Sequence, residues 1–174
     1  SRLSNLTTLG LDSLSVMTDE TLAAFAPLKR LEQIAVTATS ITGTGFTSLR
    51  GCTQMKSLFL QQDTPVSGEG LAAIAASFPK LEDLRLGRTT ALNGTDLHPL
   101  ATLKYLKQLY IALPNLDEAG MKAIGQISPL ETLNIDGVAI PSQSIASLKP
   151  LKLLTRLVLI NSPNIDDSAI PALK

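Results

Sequence analysis

The chain has 174 residues, of which 44% are hydrophobic and only 3% are aromatic, and its 15 Lys and Arg balance 15 Asp and Glu. This balance argues against nucleic-acid binding as the main role, because a nucleic-acid binder normally carries a basic face. The single Cys and the single His exclude an internal disulfide framework, a multi-Cys metal site and a pair of His ligands. No apolar run approaches the roughly 20 residues that span a bilayer, so we expect no membrane insertion.

A repeat of about 25 residues organises the whole chain. Apolar residues recur at the first, fourth and sixth positions of a six-residue segment, and each recurrence predicts a short strand with its fourth and sixth side chains buried. In chain order these segments are 6–11, 31–36, 55–60, 81–86, 106–111, 130–135 and 154–159. Seven repeats with matching periods predict a stacked architecture rather than a single globular core.

A short helix is predicted after each strand, because apolar residues three positions apart share one helix face. The first two such residues of each repeat are Leu22 and Phe25, Phe46 and Leu49, Leu71 and Ile74, Leu97 and Leu100, Met121 and Ile124, Ile145 and Leu148, and Ile170 and Leu173. A polar residue precedes each helix and could accept a free amide of its first turn. These predicted caps are Thr18, Thr42, Ser67, Asn93, Asp117, Ser142 and Asp166.

The repeat resembles the leucine-rich repeat, in which L-x-x-L-x-L is followed by a loop and a helix. Residues 31–46, LEQIAVTATSITGTGF, look like a bacterial 24-residue variant with Thr at the ninth position and an I-T-x-x-G-L helix start. The resemblance covers all seven units. It implies an α/β leucine-rich-repeat solenoid, curved and right-handed, with a parallel sheet on its concave face.

The ninth position departs from the many leucine-rich repeats that place Asn there. It holds Leu14, Thr39, Asp63, Thr89, Pro114, Val138 and Ser162, of which four can still form hydrogen bonds through short polar side chains. We therefore expect a less regular loop edge than an Asn ladder would give, with ordered water filling some gaps.

The side chains at the third, fifth and seventh strand positions should project from the concave sheet, because alternate residues of a strand point to opposite faces. The fifth-position column places Phe59, Arg85 and Tyr110 on consecutive strands, so the guanidinium is expected between two aromatic rings. Aromatic residues and Arg dominate interface hot spots, so these three form the predicted centre of a partner-binding site. The flanking positions add Gln61, Asp83, Arg88, Gln108, Asn134 and Asp136. The alternative is that the stacked column only covers the sheet.

Catalytic and metal-binding motifs are missing from the sequence. It has no GxxxxGK[ST] loop, GxSxG elbow, HExxH or CxxC. His98 is expected on the outward face of a helix and Cys52 in the core, where other repeats have Leu, Ile or Phe. We therefore predict that the chain is not an enzyme and binds no cofactor or metal.

The most favoured function is non-catalytic recognition of a protein or peptide on the concave sheet face. One alternative is the substrate-recognition arm of a larger multidomain enzyme or effector, and another is a cell-surface, adhesin-like binder of carbohydrate or protein. Nothing in the sequence reads as a targeting signal, so cytoplasmic and secreted or cell-surface locations stay open.

The two ends of the chain lack the polar capping segments that terminal repeats normally need for solubility. We therefore expect residues 1–174 to form a single leucine-rich-repeat domain that belongs to a longer array, or whose ends pair with another molecule. The last strand, with the sequence LVLI at 157–160, would be an exposed sheet edge. Such an edge predicts edge-to-edge self-association.

Overall fold

The computed structural model of the protein describes residues 3–89, 91–137 and 139–173. Within these ranges, seven parallel strands form one open sheet in which each strand pairs with the next along the chain. The strands are β1 (Thr8–Asp12), β2 (Gln33–Thr37), β3 (Ser57–Gln61), β4 (Asp83–Leu86), β5 (Gln108–Ile111), β6 (Thr132–Asp136) and β7 (Arg156–Ile160). The architecture is an α/β solenoid of seven strand–loop–helix repeats, as the periodicity predicts.

The strands pair in the register that the repeat alignment predicts. Phe59 lies opposite Arg85, Arg85 opposite Tyr110, and Tyr110 opposite Asn134. Residues at one repeat position therefore form a column across the sheet. The face that carries the third, fifth and seventh positions of each repeat is called the sheet face below.

The predicted helices form, but most are wound more tightly than an α-helix. Two are α-helices, α1 (Gly68–Ser77) and α2 (Glu118–Ile124). The other five are 3₁₀-helices at Asp19–Phe25, Thr44–Leu49, Gly94–Thr102, Ser142–Leu148 and Asp167–Leu173. A 3₁₀-helix has three residues per turn, so it aligns apolar residues spaced by three along one face. Phe46 and Leu49 are buried together in this way, whereas the prediction of a buried Ile170 in the last helix is wrong, because its side chain is exposed.

The core is a stack of aliphatic layers between the sheet and the helices. Leu58, Leu84 and Leu109, from the fourth positions of three successive repeats, are completely buried. The rings of Phe46 and Phe78 meet edge to face, with centroids 5.9 Å apart, where the helices of repeats 2 and 3 adjoin. In repeats 1 and 7, which have a neighbour on one side within the described residues, Leu9, Leu157 and Leu159 are only partly buried.

Cys52 lies in this core as predicted, with its Sγ 3.4 Å from the Leu28 carbonyl oxygen. Burial raises the pKa of its thiol, and nearby Lys29 opposes that effect only in part. A buried thiol of raised pKa is unreactive, which agrees with a packing role.

Four of the seven predicted caps accept a hydrogen bond from a backbone amide of the first turn. Ser67 accepts from Gly70, Asn93 from Thr95, Asp117 from Gly120, and Asp166 from Ser168, at 2.9 to 3.0 Å. Asn93 and Asp96 together complete a capping box.

The other three predicted caps are wrong. Thr18 precedes its helix but its hydroxyl donates to Glu20 instead of accepting an amide. The second helix begins at Thr44 after Gly43, so Thr42 lies outside it. Ser142 is the first residue of its helix, and its hydroxyl donates to Asn164 and Asp166 of the next repeat.

Asp19 supplies from the first repeat the cap that Thr42 does not provide. Its carboxylate accepts hydrogen bonds from the amides of Thr42, Gly43 and Gly45 and from the Thr42 hydroxyl. Burial alone would raise the pKa of Asp19, but these hydrogen bonds outweigh it and hold the pKa below its usual value. The carboxylate therefore joins two repeats as well as capping a helix.

The loop edge beyond the strands is irregular, as the ninth positions predict. Thr39 and Thr89 are buried there, and within the described part of the chain each hydroxyl accepts from a local amide alone, that of Ile41 at 3.4 Å and that of Ala91 at 3.3 Å. The ninth position of repeat 6, Val138, lies outside the described residues. No side-chain ladder of the Asn type therefore runs between the described ninth positions of these repeats.

The Asp19 contacts predict an acid-sensitive interface between the first two repeats. Replacing Asp19 with Ala removes these hydrogen bonds and should lower the free energy of unfolding by about 1–2 kcal/mol at neutral pH. Because the pKa of Asp19 is lower in the folded than in the unfolded chain, its contribution is complete above the unfolded pKa. It is lost as the pH falls through the folded pKa.

Urea unfolding followed by circular dichroism at a series of pH values measures this effect. The difference between wild type and Asp19→Ala should shrink towards zero in acid. Asp12→Ala, at an exposed position of β1, serves as the control with little effect at any pH. A difference for Asp19→Ala that stays constant from neutral to acid pH would contradict the role of the charge.

Candidate functional site

Two adjacent strands in the middle of the sheet end one residue early. β4 and β5 have four residues, whereas the other five strands have five. The seventh positions that follow β4 and β5 hold Gly87 and Ala112, both buried. The same position in the flanking repeats holds the longer side chains of Gln61 and Asp136. The sheet face is therefore lowered at two neighbouring positions and walled on both sides.

The backbone of these two repeats also turns differently. In repeats 1, 2, 3, 6 and 7 the eighth residue has a positive φ, between 45° and 69°, at Ser13, Ala38, Gln62, Gly137 and Asn161. The eighth residues of repeats 4 and 5, Arg88 and Leu113, are not among the described residues with positive φ. The early strand ends and the different turn coincide in the same pair of repeats.

The result is an open hollow of about 500 Å³ at the carboxyl ends of the central strands. We call it the notch, and its lining residues are Gln61, Gln62, Asp63, Arg85, Gly87, Arg88, Tyr110, Ala112 and Asp136. Its volume falls within the range of about 300–1,000 Å³ that is usual for ligand pockets. Gly87 is required at the floor, because a Cβ there would lie 2.7 Å from the Cα of Gln61.

Arg85 is held in place from two sides. Its guanidinium carbon lies 4.3 Å from the centre of the Phe59 ring. Its Nη2 and Nε donate to the Asp83 carboxylate at 3.1 and 3.4 Å. The Arg85 side chain nevertheless stays 43% exposed, so part of its guanidinium remains accessible to a partner.

The sequence predicts the Arg85 guanidinium between the rings of Phe59 and Tyr110. The stacking on Phe59 is confirmed, and the stacking on Tyr110 is wrong. Among the described residues, the cation–π contact of Arg85 is with Phe59 alone. The Tyr110 side chain instead bonds to the next repeat, where its hydroxyl donates to Asp136 Oδ2 at 3.0 Å. A carboxylate acceptor for the phenol replaces the predicted stacking.

Asp136 accepts a second hydrogen bond, from Asn161 Nδ2 to Oδ1 at 2.9 Å. Burial raises the pKa of Tyr110, and the hydrogen bond to Asp136 and its negative charge raise it further. The cation of Arg88 opposes these effects in part, which places its charge close enough to Tyr110 to act on it. Tyr110 and Asp136 therefore form a polar wall on one side of the notch, and Asn161 holds the Asp136 carboxylate from outside it.

The structure brings together five of the nine predicted site residues in the lining of the notch, namely Gln61, Arg85, Arg88, Tyr110 and Asp136. Phe59 and Asp83 lie beside it and hold Arg85. Gln108 and Asn134 are on the sheet face but do not line the notch.

Sequence reasoning missed the residues that create the notch. Gly87 and Ala112 form its floor, and Gln62 and Asp63 lie at its rim. The signal was present in the seventh-position column, which reads Asp12, Thr37, Gln61, Gly87, Ala112, Asp136 and Ile160. Two consecutive small residues between longer ones mark the place where a surface column is interrupted.

Within residues 3–89, 91–137 and 139–173, no group of three or more His, Cys, Asp or Glu could hold a metal ion. His98 is exposed on its helix, and its Nδ1 lies 2.6 Å from the Thr95 carbonyl oxygen. None of the described helices is both long and apolar enough to cross a membrane. The groups that face the notch are suited to hydrogen bonds, ion pairs and packing.

Comparisons with known proteins address the fold. No protein-family model matches the sequence, and no curated protein matches it significantly. Among solved structures, an internalin, inlF, from Listeria monocytogenes superposes with a TM-score of 0.58 at 18% identity, over 93% of this chain. Internalin C2 from the same organism superposes with a TM-score of 0.58 at 21% identity, over 95% of this chain and 75% of its own. The chain spans only half the length of the inlF structure.

Both internalins are leucine-rich-repeat proteins. The present chain has the fold of a leucine-rich-repeat solenoid. This fold accounts for the parallel sheet, the helices between its strands and the columns of side chains on the sheet face.

The Tyr110 contacts predict that the raised pKa of this phenol depends on the neighbouring Asp136 carboxylate. The chain has two Tyr, so Tyr105→Phe leaves Tyr110 as the only phenol and serves as the background. In this background, Asp136→Asn should lower the pKa of Tyr110 towards the usual value, because it removes the nearby negative charge. The pKa should stay somewhat raised, since burial remains.

An absorbance titration of the two variants at high pH measures the shift. Asp12→Asn in the same background is the control, because Asp12 is exposed on β1, well away from the notch. An unchanged Tyr110 titration in the Asp136→Asn variant would contradict the contact.

Proposed function

We propose that this chain is a non-catalytic recognition module that binds a protein or peptide across its sheet face, centred on the notch. The observation that supports the proposal is the coincidence of the two shortened strands with the small residues Gly87 and Ala112. The hollow and the predicted binding side chains coincide, because the two repeats that carry Gly87 and Ala112 also carry Arg85 and Tyr110.

The notch residues are preorganised, which favours binding over surface cover. Arg85 is fixed by Phe59 and Asp83, and Tyr110 by Asp136. Side chains that are already ordered lose little conformational entropy on binding, so more of the contact energy appears as affinity. Tyr and Arg are also among the residues most enriched at interface hot spots.

Several features support a protein or peptide rather than another class of partner. The chain as a whole has no net charge, which disfavours nucleic acid. The notch combines apolar floor residues with amide, phenol and charged groups, which suits the mixed chemistry of a polypeptide. The internalin fold is compatible with this role but does not assign it, because one fold serves many functions.

Three finer features belong to the same proposal. We assign the repeats to the bacterial 24-residue variant on the strength of residues 31–46. We regard all nine predicted residues as the binding surface, with Gln108 and Asn134 at its margin. We also keep self-association through the outer edge of β7 as a prediction, since Ile160 there is exposed and Leu157 and Leu159 are partly buried.

The double variant Phe59→Ala with Tyr110→Ala tests the site. A phage-displayed library of random 12-residue peptides is selected on the wild-type chain, and the enriched peptides are synthesised. Loss of two central aromatic residues should weaken their binding about 30-fold or more, which corresponds to a hot spot of about 2 kcal/mol. Isothermal titration calorimetry gives the affinities.

Tyr105→Ala is the matched control, because Tyr105 is an exposed aromatic residue in a connection outside the notch. It should leave peptide binding unchanged, and circular dichroism should show that all variants remain folded. The proposal fails if the library yields no specific peptide. It also fails if the folded double variant binds the enriched peptides as well as wild type does.

A further inference from the structure

Three charged side chains line the notch without an ion pair among the described residues, namely Asp63, Arg88 and Asp136. Arg88 and Asp136 carry opposite charges and belong to repeats 4 and 6. We propose that the notch recognises an extended polypeptide segment that carries one acidic and one basic side chain, the acid pairing with Arg88 and the base with Asp136. This inference rests on the proposed function and specifies the chemistry of the partner.

Asp136 is built as a fixed anionic acceptor. Its two oxygens accept from neutral donors, the Tyr110 phenol and the Asn161 amide, and no cation within the described ranges donates to them. These neutral donors orient the carboxylate without neutralising its negative charge. Each carboxylate oxygen can accept more than one hydrogen bond, so the ammonium or guanidinium of a partner can still bind.

Arg88 is the available cation of the notch. The other arginine, Arg85, is already paired with Asp83. Arg88 is exposed, and no hydrogen bond or ion pair of its side chain is found within the described part of the chain. Its guanidinium can therefore offer its planar pair of donors to a carboxylate of the partner.

Asp63 modulates the Arg88 subsite. It lines the notch beside Arg88, is exposed, and forms no ion pair with it in the part of the chain that the structure describes. Its negative charge competes with an incoming acid, so removing that charge should strengthen the interaction of a partner acid with Arg88.

The positions of the two charges set the spacing in the partner. Arg88 belongs to repeat 4 and Asp136 to repeat 6, so their backbones lie two strand spacings apart, about 10 Å. In an extended segment that crosses the strands, residues two positions apart project on one side about 7 Å from each other, and four positions apart about 13 Å. Flexible side chains cover the difference, so the acid and the base should be two to four positions apart.

Charge-removing variants test this inference with the same 12-residue phage library. The pool selected on wild type should be enriched in peptides with one acidic and one basic residue two to four positions apart. The pool selected on Arg88→Gln should lose the acidic preference and keep the basic one. Asp136→Asn, which keeps a side-chain acceptor for Tyr110, should show the reverse.

Synthesised wild-type peptides should bind each of these two variants a few-fold to tenfold more weakly, as expected for a partly exposed ion pair. Asp63→Asn should strengthen the acidic preference. The controls Arg50→Gln and Asp12→Asn remove exposed charges outside the notch and should change neither the pool nor the affinity.

Two results would overturn the inference. The first is a pool selected on wild type whose peptides lack paired opposite charges, including a pool enriched in charges of one sign alone. The second is a preference for peptides with paired charges that persists on both Arg88→Gln and Asp136→Asn. If such peptides still lose affinity for the Phe59→Ala, Tyr110→Ala variant, the proposed function stands and only the charge specificity falls. If they bind that variant as tightly as wild type, both fall.

Discussion

Each repeat of this chain can bury its aliphatic side only against a neighbouring copy, and the rest of the structure depends on that constraint. A single strand and helix present too little apolar surface to fold alone, so stability comes from the interfaces between repeats. Burial of Leu58, Leu84 and Leu109 at equivalent positions fixes the register of β3, β4 and β5. A slip by one residue would move every buried side chain to the solvent face.

Because the register is fixed, residues at one repeat position lie side by side as a column on the sheet face. A change at one position in two successive repeats becomes one continuous feature, because their residues lie side by side. Gly87 and Ala112 lower the same column in neighbouring repeats, and the early ends of β4 and β5 open the space further. The core positions of these repeats keep their buried aliphatic residues. The notch therefore forms without loss of the packing that fixes the strand register.

The parts of the structure that follow from periodicity could be predicted from sequence. The parallel strand order and the alignment of Phe59, Arg85 and Tyr110 are examples, because backbone pairing and apolar spacing decide them. The winding of the helices could not be predicted, since a spacing of three residues suits both α and 3₁₀ geometry over one or two turns. The position of the partner and the binding role of the site remain predictions.

Contacts between side chains of different repeats were the least accessible from sequence. Asp19 caps a helix more than 20 residues further on, and Tyr110 bonds to Asp136 rather than stacking on Arg85. In both cases a carboxylate accepts a hydrogen bond from a donor in another repeat. The pattern of apolar residues in the sequence gives no indication of such bonds. Charge-assisted hydrogen bonds are stronger than the weak stacking of an exposed Arg on a ring, so they decide the side-chain orientation.

The most direct test of the account is to map where a bound peptide lies by NMR. Backbone amide shifts of the isotopically labelled chain are followed during titration with the tightest peptide from the library. Recognition at the notch should produce the largest changes at Gln61, Gly87, Arg88 and Ala112, with little change at Lys122 and Gln126 on the helical side. Changes concentrated on the helices or on the terminal repeats, with the notch amides unmoved, would contradict recognition at the sheet face.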